Sequence, residues 1–432
     1  MTRRASLVSA DKRHVWHPYT PMQRYIDDVE PLVIERAEGA HIHDVDGRAF
    51  IDANSSWWVA ALGHRHPRLV AALQRQSEQL CHVALAGITH EPAARLAEEL
   101  CQIAPAGLNH VFFSDDGSTA VEAALKMALQ FWHNHGQSNR RRFVALDGAF
   151  HGDTLGATAV GGVEVFRRPF ASVVLECVHV PFPGDEGAYD LAFAAMAELL
   201  GSADDIAAVV LEPLLQGAAG MRVYDERFLR AVRQLCDAHD VLLIADEVFT
   251  GFGRCGAMWA CDRASITPDL LCTAKALSGG ILPLAATLAT DRVFDAFLGA
   301  PERAFYYGHT FCGHALGTAV AREVLAVYRD EDIIAKLQPK AARIRQTFEE
   351  LATLPGVARG RSLGMTGAID LRGDGGYLGG GGWRVFDEAL ARGVYLRPLG
   401  DTVYVAPPLN IDDAVLSELL DVVVDSVTAA LG

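Results

Sequence analysis

No uncharged apolar stretch in the 432 residues is long enough to span a bilayer, which argues against an integral membrane protein built on helices. No CxxC pair occurs among the eight cysteines, at positions 81, 101, 177, 236, 255, 261, 272 and 312, so neither a zinc ribbon nor a dithiol redox motif is indicated and the protein reads as reduced. No apolar signal segment follows the opening MTRRASLVSADKRH, and a cytoplasmic location is expected. Positive charge is scarce: 38 Lys and Arg face 54 Asp and Glu, a formal charge of -16. Long-range repulsion then opposes nucleic acid or an anionic membrane surface as partner and leaves small molecules as the expected ligands. Internal repeats and coiled-coil heptads are also absent. What is present is a chain half hydrophobic, enough for a large core in two or three domains.

Strand-like runs alternate with helical patterns through the middle of the chain. HVFFS (110–114) precedes the helix-like 117–132; RFVAL (142–146), AAVVLE (207–212), VLLIAD (241–246) and LAATLAT (284–290) follow, with helix-length segments such as 225–240 between them. Buried strands alternating with helices give an α/β fold: a large domain with a mostly parallel sheet flanked by helices. From about residue 325 the pattern becomes a long helical stretch (322–351), a strand, a Gly-rich loop, another helix and the run TVYVAPPLNI (402–411), a smaller α+β domain. Residues 33–53 read as a hairpin around Asp46-Gly47. The expected division is 1–65, joining the small domain in space, 66–325 as the large cofactor-binding domain, and 326–432 as the small domain.

Two residues carry the chemistry. Asp246 closes the apolar run VLLIAD, and Lys275 lies in the segment PDLLCTAKALSGG (268–280), whose stretch from Leu270 onward carries no other charge. A carboxylate at the end of a buried strand and a lysine in an apolar pocket suit pyridoxal 5'-phosphate: the acid keeps a pyridine nitrogen protonated and the amine forms a Schiff base. Either residue alone reads as a turn cap or a snorkelling surface lysine. The segment SDDGSTAVEAALKMA (114–128) adds a phosphate site, with Gly117 and Ser118 where a strand hands over to a helix and free N–H groups meet an anion. Such a Gly-Ser is more often a simple N-cap, and its weight comes from sharing the alternating region with Asp246 and Lys275. A second phosphate candidate is the turn Gly308-His309-Thr310, which would present Thr310.

Other signals are weaker. GDGGYLGGGG (373–382) fits no dinucleotide fingerprint and reads as a flexible loop. Three HxH pairs (His41/His43, His64/His66, His133/His135) lack Cys or carboxylate partners at ligand spacing, so no metal is expected. Trp57 and Trp58, adjacent in DANSSWWVAALGHRHP, cannot both be core in a strand and read equally as a substrate wall or as packing.

The run LLIADEVFTGFGR (242–254) followed by PDLLCTAKALSGG resembles the signature of the class III pyridoxal-phosphate aminotransferases. VWHPYTPM (15–22), SSWW (55–58), HVALAGITHEPA (82–93), FHGDT (150–154), LEPLLQGAAGMRVY (211–224) and LRPLGDTVYVAPP (396–408) are similar to the branch of that family serving biotin synthesis. The likeness runs from about residue 15 to 425. It implies the type I aminotransferase fold, a homodimer with shared active sites, and transfer of an amino group from S-adenosylmethionine to 8-amino-7-oxononanoate. Lys275 would form the cofactor linkage and then shuttle a proton, with Asp246 on the pyridine nitrogen. Gly117 and Ser118 match phosphate-binding positions, and Thr310 the one reaching across from a partner subunit. Phe150 would stack on the cofactor. Tyr19, Trp57, Trp58 and Gly308 would border the substrate, and Arg397 would bind the acceptor's carboxylate.

Three positions depart from the family pattern: Phe150 where Tyr is usual, His309 where Pro is frequent, and Asn54 where Met is common. They bear on the cofactor face and the substrate channel, and hence on the amino donor. The alternatives that remain are lysine as donor, another ω-aminotransferase acting on a diamine or ω-amino acid, and, from a different class, a non-catalytic cofactor-binding regulator.

Overall fold

The turn at Asp46-Gly47 opens the first sheet. Gly47 takes φ 85°, in the left-handed region where a Cβ is unfavourable, and Asp44 Oδ1 accepts the backbone N–H groups of Asp46 and Arg48. Strands β1 (Ile34–Glu38), β2 (His41–Asp44) and β3 (Ala49–Asp52) form an antiparallel meander around it. The computed structural model describes residues 2–184, 187–373 and 375–432.

Seven strands build the central sheet: β4 (Leu108–Ser114), β5 (Arg142–Leu146), β6 (Cys177–Val180), β7 (Ile206–Leu211), β8 (Leu242–Asp246), β9 (Leu270–Thr273) and β10 (Ala285–Thr290). Their order is β4-β10-β9-β8-β7-β5-β6. Only β10 runs against its neighbours, so the sheet is mostly parallel, as the alternating pattern predicts. Period-two alternation along each strand divides its side chains between two layers. Ala208, Val210, Leu242 and Ile244 meet Ala120, Ala124 and Ala128 of helix α1 (Gly117–Asn134). Val209, Leu211 and Leu243, on the other face, meet Phe228, Leu229 and Val232 of helix α2 (Glu226–Ala238), whose N-cap Asp225 accepts the Arg227 N–H at 2.7 Å. Both faces are covered, which is why these runs read as continuous apolar segments.

The C-terminal part differs from its expected pattern in two places. The long helical stretch is two helices, α3 (Ala315–Asp330) and α4 (Ile333–Leu351), separated where Asp332 turns left-handed at φ 52°. Where one strand was expected there is a hairpin, β11 (Val357–Leu363) and β12 (Thr366–Leu371), turning at Gly364, φ 55°. Helix α5 (Gly381–Ala391), β13 (Val394–Tyr395), β14 (Thr402–Val405) and helix α6 (Asp413–Leu431) complete the chain. β14 extends the hairpin sheet, and β13 pairs in parallel with β3, tying the N-terminal meander to the C-terminal region. No helix among the described residues is long and apolar enough to cross a membrane.

Candidate active site

In an open parallel sheet the strands' carboxyl ends leave backbone groups and loops free to meet a ligand. Here the loops after β4, β5, β7, β8 and β9 converge on a cavity of about 610 Å³, lined among others by Gly117, Ser118, Phe150, Asp246 and Lys275. A larger cavity, of about 850 Å³, lies between helices Pro67–Ser77, Glu91–Ile103 and α3. Several of its charged walls pair internally, Arg322 with Glu99 at 2.8 Å for example, and it is bordered by His90, Glu91 and Pro92 of HVALAGITHEPA but by none of the candidate site residues.

Asp246 is 4 % exposed. Its Oδ1 accepts the Val248 N–H at 3.1 Å, and its Oδ2 accepts Nδ1–H of the equally buried His151 at 2.7 Å. Next to it Glu212 accepts the backbone N–H groups of Phe150 (3.0 Å) and Gly217 (2.8 Å). Burial pushes Glu212 up to about 7, and the Asp246 charge adds to the shift. Lys275 follows β9 with φ 43°, a strained value for lysine. Its ammonium lies 4.9 Å from the Trp58 ring centre and 5.9 Å from that of Phe249. Desolvation lowers its pKa, opposed by the charges of Asp246 and Glu212. A lysine in such surroundings holds its proton weakly, which suits an amine that must act as nucleophile and base.

The Gly-Ser turn is built for close approach. Asp116 caps α1 by accepting the Thr119 N–H at 2.9 Å, with Thr119 Oγ1 returning to the cap. A Cβ on Gly117 would lie 2.7 Å from Val248 Cγ1, and one on Gly152 would lie 2.2 Å from Ser118 Oγ. Ser118 Oγ accepts the Asp153 N–H at 3.0 Å. The N-terminus of an 18-residue helix therefore borders the cavity at Gly117 and Ser118, with Val248 packed against the glycine where any side chain would have to go.

Trp57 and Trp58 are not in a strand. Ser55 to Trp58 make a left-handed turn, with φ of 47°, 46°, 61° and 74° at four consecutive non-glycine residues. Strain of this kind, about 1–3 kcal/mol per residue, persists only where the surroundings over-determine it. Buried Asp52 does so, accepting the N–H groups of Asn54 and Ser56, the Ser56 hydroxyl and His64 Nε2. Ser55 Oγ donates to Ala406 O at 2.8 Å, and Trp58 Nε1 to Tyr404 Oη at 3.2 Å. The turn sends Trp58 into the core and leaves Trp57 38 % exposed, so the pair divides between packing and wall. Tyr19 packs edge-on to Trp57 and donates its hydroxyl to Asp153 at 2.6 Å. Arg397 lies over Trp57, 5.2 Å from the ring centre, and no carboxylate among the described residues pairs with it.

The cavity thus gathers Tyr19, Trp57, Trp58, Gly117, Ser118, Phe150, Asp246, Lys275 and Arg397, but Gly308 and Thr310 do not border it within one chain. Asn54, expected to bear on the channel, is 2 % exposed and faces inward: it accepts the Arg397 N–H at 2.7 Å and donates to Tyr404 O at 3.3 Å. His151, Glu212 and Asp52 received no role in the sequence, although FHGDT and LEP contain the first two. The Gly-rich loop is also more than a connection, because Tyr377 and Leu378 wall the cavity.

A family model for class III aminotransferases matches residues 24–427. The chain is 46 % identical to the adenosylmethionine-8-amino-7-oxononanoate aminotransferase of Synechococcus elongatus, covering 95 % of this chain and 98 % of that one. The crystal structure of the enzyme of that name from Methanocaldococcus jannaschii superposes with a TM-score of 0.94 at 35 % identity, over 99 % of each chain. An amine transaminase from an uncultivated Pseudomonas species, solved in its PLP-bound form, gives a TM-score of 0.89 at 31 % identity over 96 % of this chain and 99 % of that one.

Proposed function

The chain belongs to the class III aminotransferases, which depend on pyridoxal 5'-phosphate, and from that membership we propose that it moves an amino group from S-adenosylmethionine to 8-amino-7-oxononanoate, giving 7,8-diaminononanoate for biotin synthesis. The observation that carries the reading is the joining, in one cavity, of the buried Asp246–His151 pair, a desolvated Lys275 and Arg397, which has no ion pair among the described residues.

The donor set fits the cofactor: a helix N-terminus bordering the cavity at Gly117 and Ser118 for a phosphate, a carboxylate for a ring nitrogen, and an amine with weakened hold on its proton. When bound, pyridoxal phosphate supplies an aldehyde carbon and an electron-withdrawing ring. The chain's residues supply the rest. Gly117 and Ser118 would hold the phosphate, Phe150 would stack on the ring, and Asp246, oriented by His151, would hold a proton at the ring nitrogen. Lys275 Nζ takes and returns the proton at the substrate carbon. Arg397 would pair with the acceptor's carboxylate, for which its planar fork and its seat on Trp57 are suited. Tyr19, Trp57 and Trp58 border the acceptor chain and exclude water.

The reading includes a homodimer in a cytoplasmic setting. Tyr306 and Phe311, next to Gly308 and Thr310 in the chain, are large and more than half exposed, a distribution suited to a second copy that receives Thr310 at its own phosphate site. Single-turnover spectroscopy with a panel of amines tests the donor. S-adenosylmethionine should convert the cofactor chromophore; reaction with lysine or a diamine alone would keep transamination and replace the donor.

A further inference from the structure

Asp115, His309 and Cys312 converge beside the phosphate turn, and their carboxylate, imidazole and thiol donor atoms all lie within 4.8 Å of one another. None belongs to the HxH pairs that stand out in the sequence. His309 Nδ1 is 3.2 Å from Asp115 Oδ2, yet Nδ1 has no hydrogen-bond partner among the described residues, and neither has the buried Asp115 Oδ1. Two buried polar atoms left unmatched at a point where three ligand types meet need an account. The other imidazole nitrogen is placed: His309 Nε2 is 3.0 Å from Tyr307 Oη, and with Nε2–H donating there, Nδ1 keeps its lone pair for a cation. The thiol is placed too, because Cys312 Sγ accepts the His309 N–H at 3.1 Å.

We propose that Asp115, His309 and Cys312 form a zinc site that clips the 308–312 turn to the loop between β4 and α1. Zinc bonds of about 2.0–2.3 Å in a tetrahedron put donor atoms roughly 3.3–3.6 Å apart, a modest closure from the observed cluster. The mixed sulfur, nitrogen and oxygen set favours zinc over magnesium or calcium, which take oxygen ligands. Binding replaces the Cys312 thiol proton, released to solvent, by a sulfur–zinc bond, and the fourth position is left for water. Thr310 lies between two of the ligands, so the ion would set the conformation of the segment proposed above to serve a partner's phosphate site. The zinc site does not depend on the identity of the amino donor or acceptor.

The test uses the cofactor-loaded protein, stripped with a chelator, dialysed, and returned to zinc. Metal analysis should give one tightly held zinc per chain. X-ray absorption at the zinc edge should show a single sulfur at about 2.3 Å with nitrogen and oxygen completing the shell. In competition with a zinc-sensitive dye, Cys312→Ser and His309→Ala should each weaken binding at least tenfold. Failure to retain zinc, a shell without sulfur, or unchanged affinity in Cys312→Ser would each overturn the proposal. The absorption measurement on the unaltered chain decides the matter even if the variants fold poorly.

Discussion

His151 Nδ1 lies 2.7 Å from Asp246 Oδ2, and both side chains are almost wholly removed from solvent. The imidazole fixes which way the carboxylate faces, leaving Oδ1 bound to the Val248 N–H. A hydrogen bond to a charged group contributes about 1.5–3 kcal/mol. His151→Ala should therefore lower kcat by about 10- to 150-fold and weaken cofactor retention, whereas KM for the acceptor, set elsewhere in the cavity, should stay within about threefold. Equilibrium dialysis of cofactor and steady-state kinetics check this; an unchanged kcat would remove His151 from its positioning role.

Arg397 is stacked on Trp57 with no carboxylate partner among the described residues. Removing one member of a charge-assisted pair costs at least about 2 kcal/mol. Arg397→Ala should raise the acceptor KM by about 30-fold or more and leave the donor half-reaction much less affected. Equal damage to both half-reactions would argue against an acceptor clamp.

At Phe150 the cavity wall has an aromatic face without a hydroxyl. Stacking requires only the face, so Phe150→Tyr should leave cofactor affinity and acceptor KM within about twofold. A new hydroxyl offers a hydrogen bond of about 0.5–1.5 kcal/mol, roughly a factor of 2 to 13, and the effect should fall on S-adenosylmethionine deamination. A change confined to cofactor retention would contradict a role in donor recognition.

Glu247 is buried beside Asp246, where it accepts the N–H groups of Ala260 and Cys261 and the Thr250 hydroxyl. Burial pushes it up to about 7 from an ordinary value of 4.5. Between these pH values the folded chain retains a proton that the unfolded chain has released, so this group's stabilisation is complete below 4.5 and is lost as pH rises through 7. Thermal melts of wild type and Glu247→Gln should show the wild type losing Tm relative to the variant between pH 5 and pH 8. Parallel curves would place the folded-state pKa near its ordinary value.

The layered sheet was legible because strands buried on both faces leave continuous apolar runs, and 142–146 matches β5 end to end. Asp246 and Lys275 were legible because Asp246 is the only charge in 241–246 and Lys275 the only one in 270–280. The left-handed turn of Ser55–Trp58 was not, since its strain is held by Asp52 and by Ala406 O, about 350 residues away. The break between α3 and α4 carries no glycine or proline, only an aspartate that tolerates φ 52°, while the apolar spacing continues across it. His151 and Glu212 gave no signal because a single polar residue in a loop acquires meaning only from what folding places beside it.

We propose Lys275 as the amine that serves transamination in this cavity. The most direct measurement is formation of 7,8-diaminononanoate by the purified protein supplied with pyridoxal phosphate, S-adenosylmethionine and 8-amino-7-oxononanoate, alongside Lys275→Ala with an unchanged circular dichroism spectrum. Product from the wild type and essentially none from Lys275→Ala is the predicted result. Comparable turnover in the variant would contradict the account.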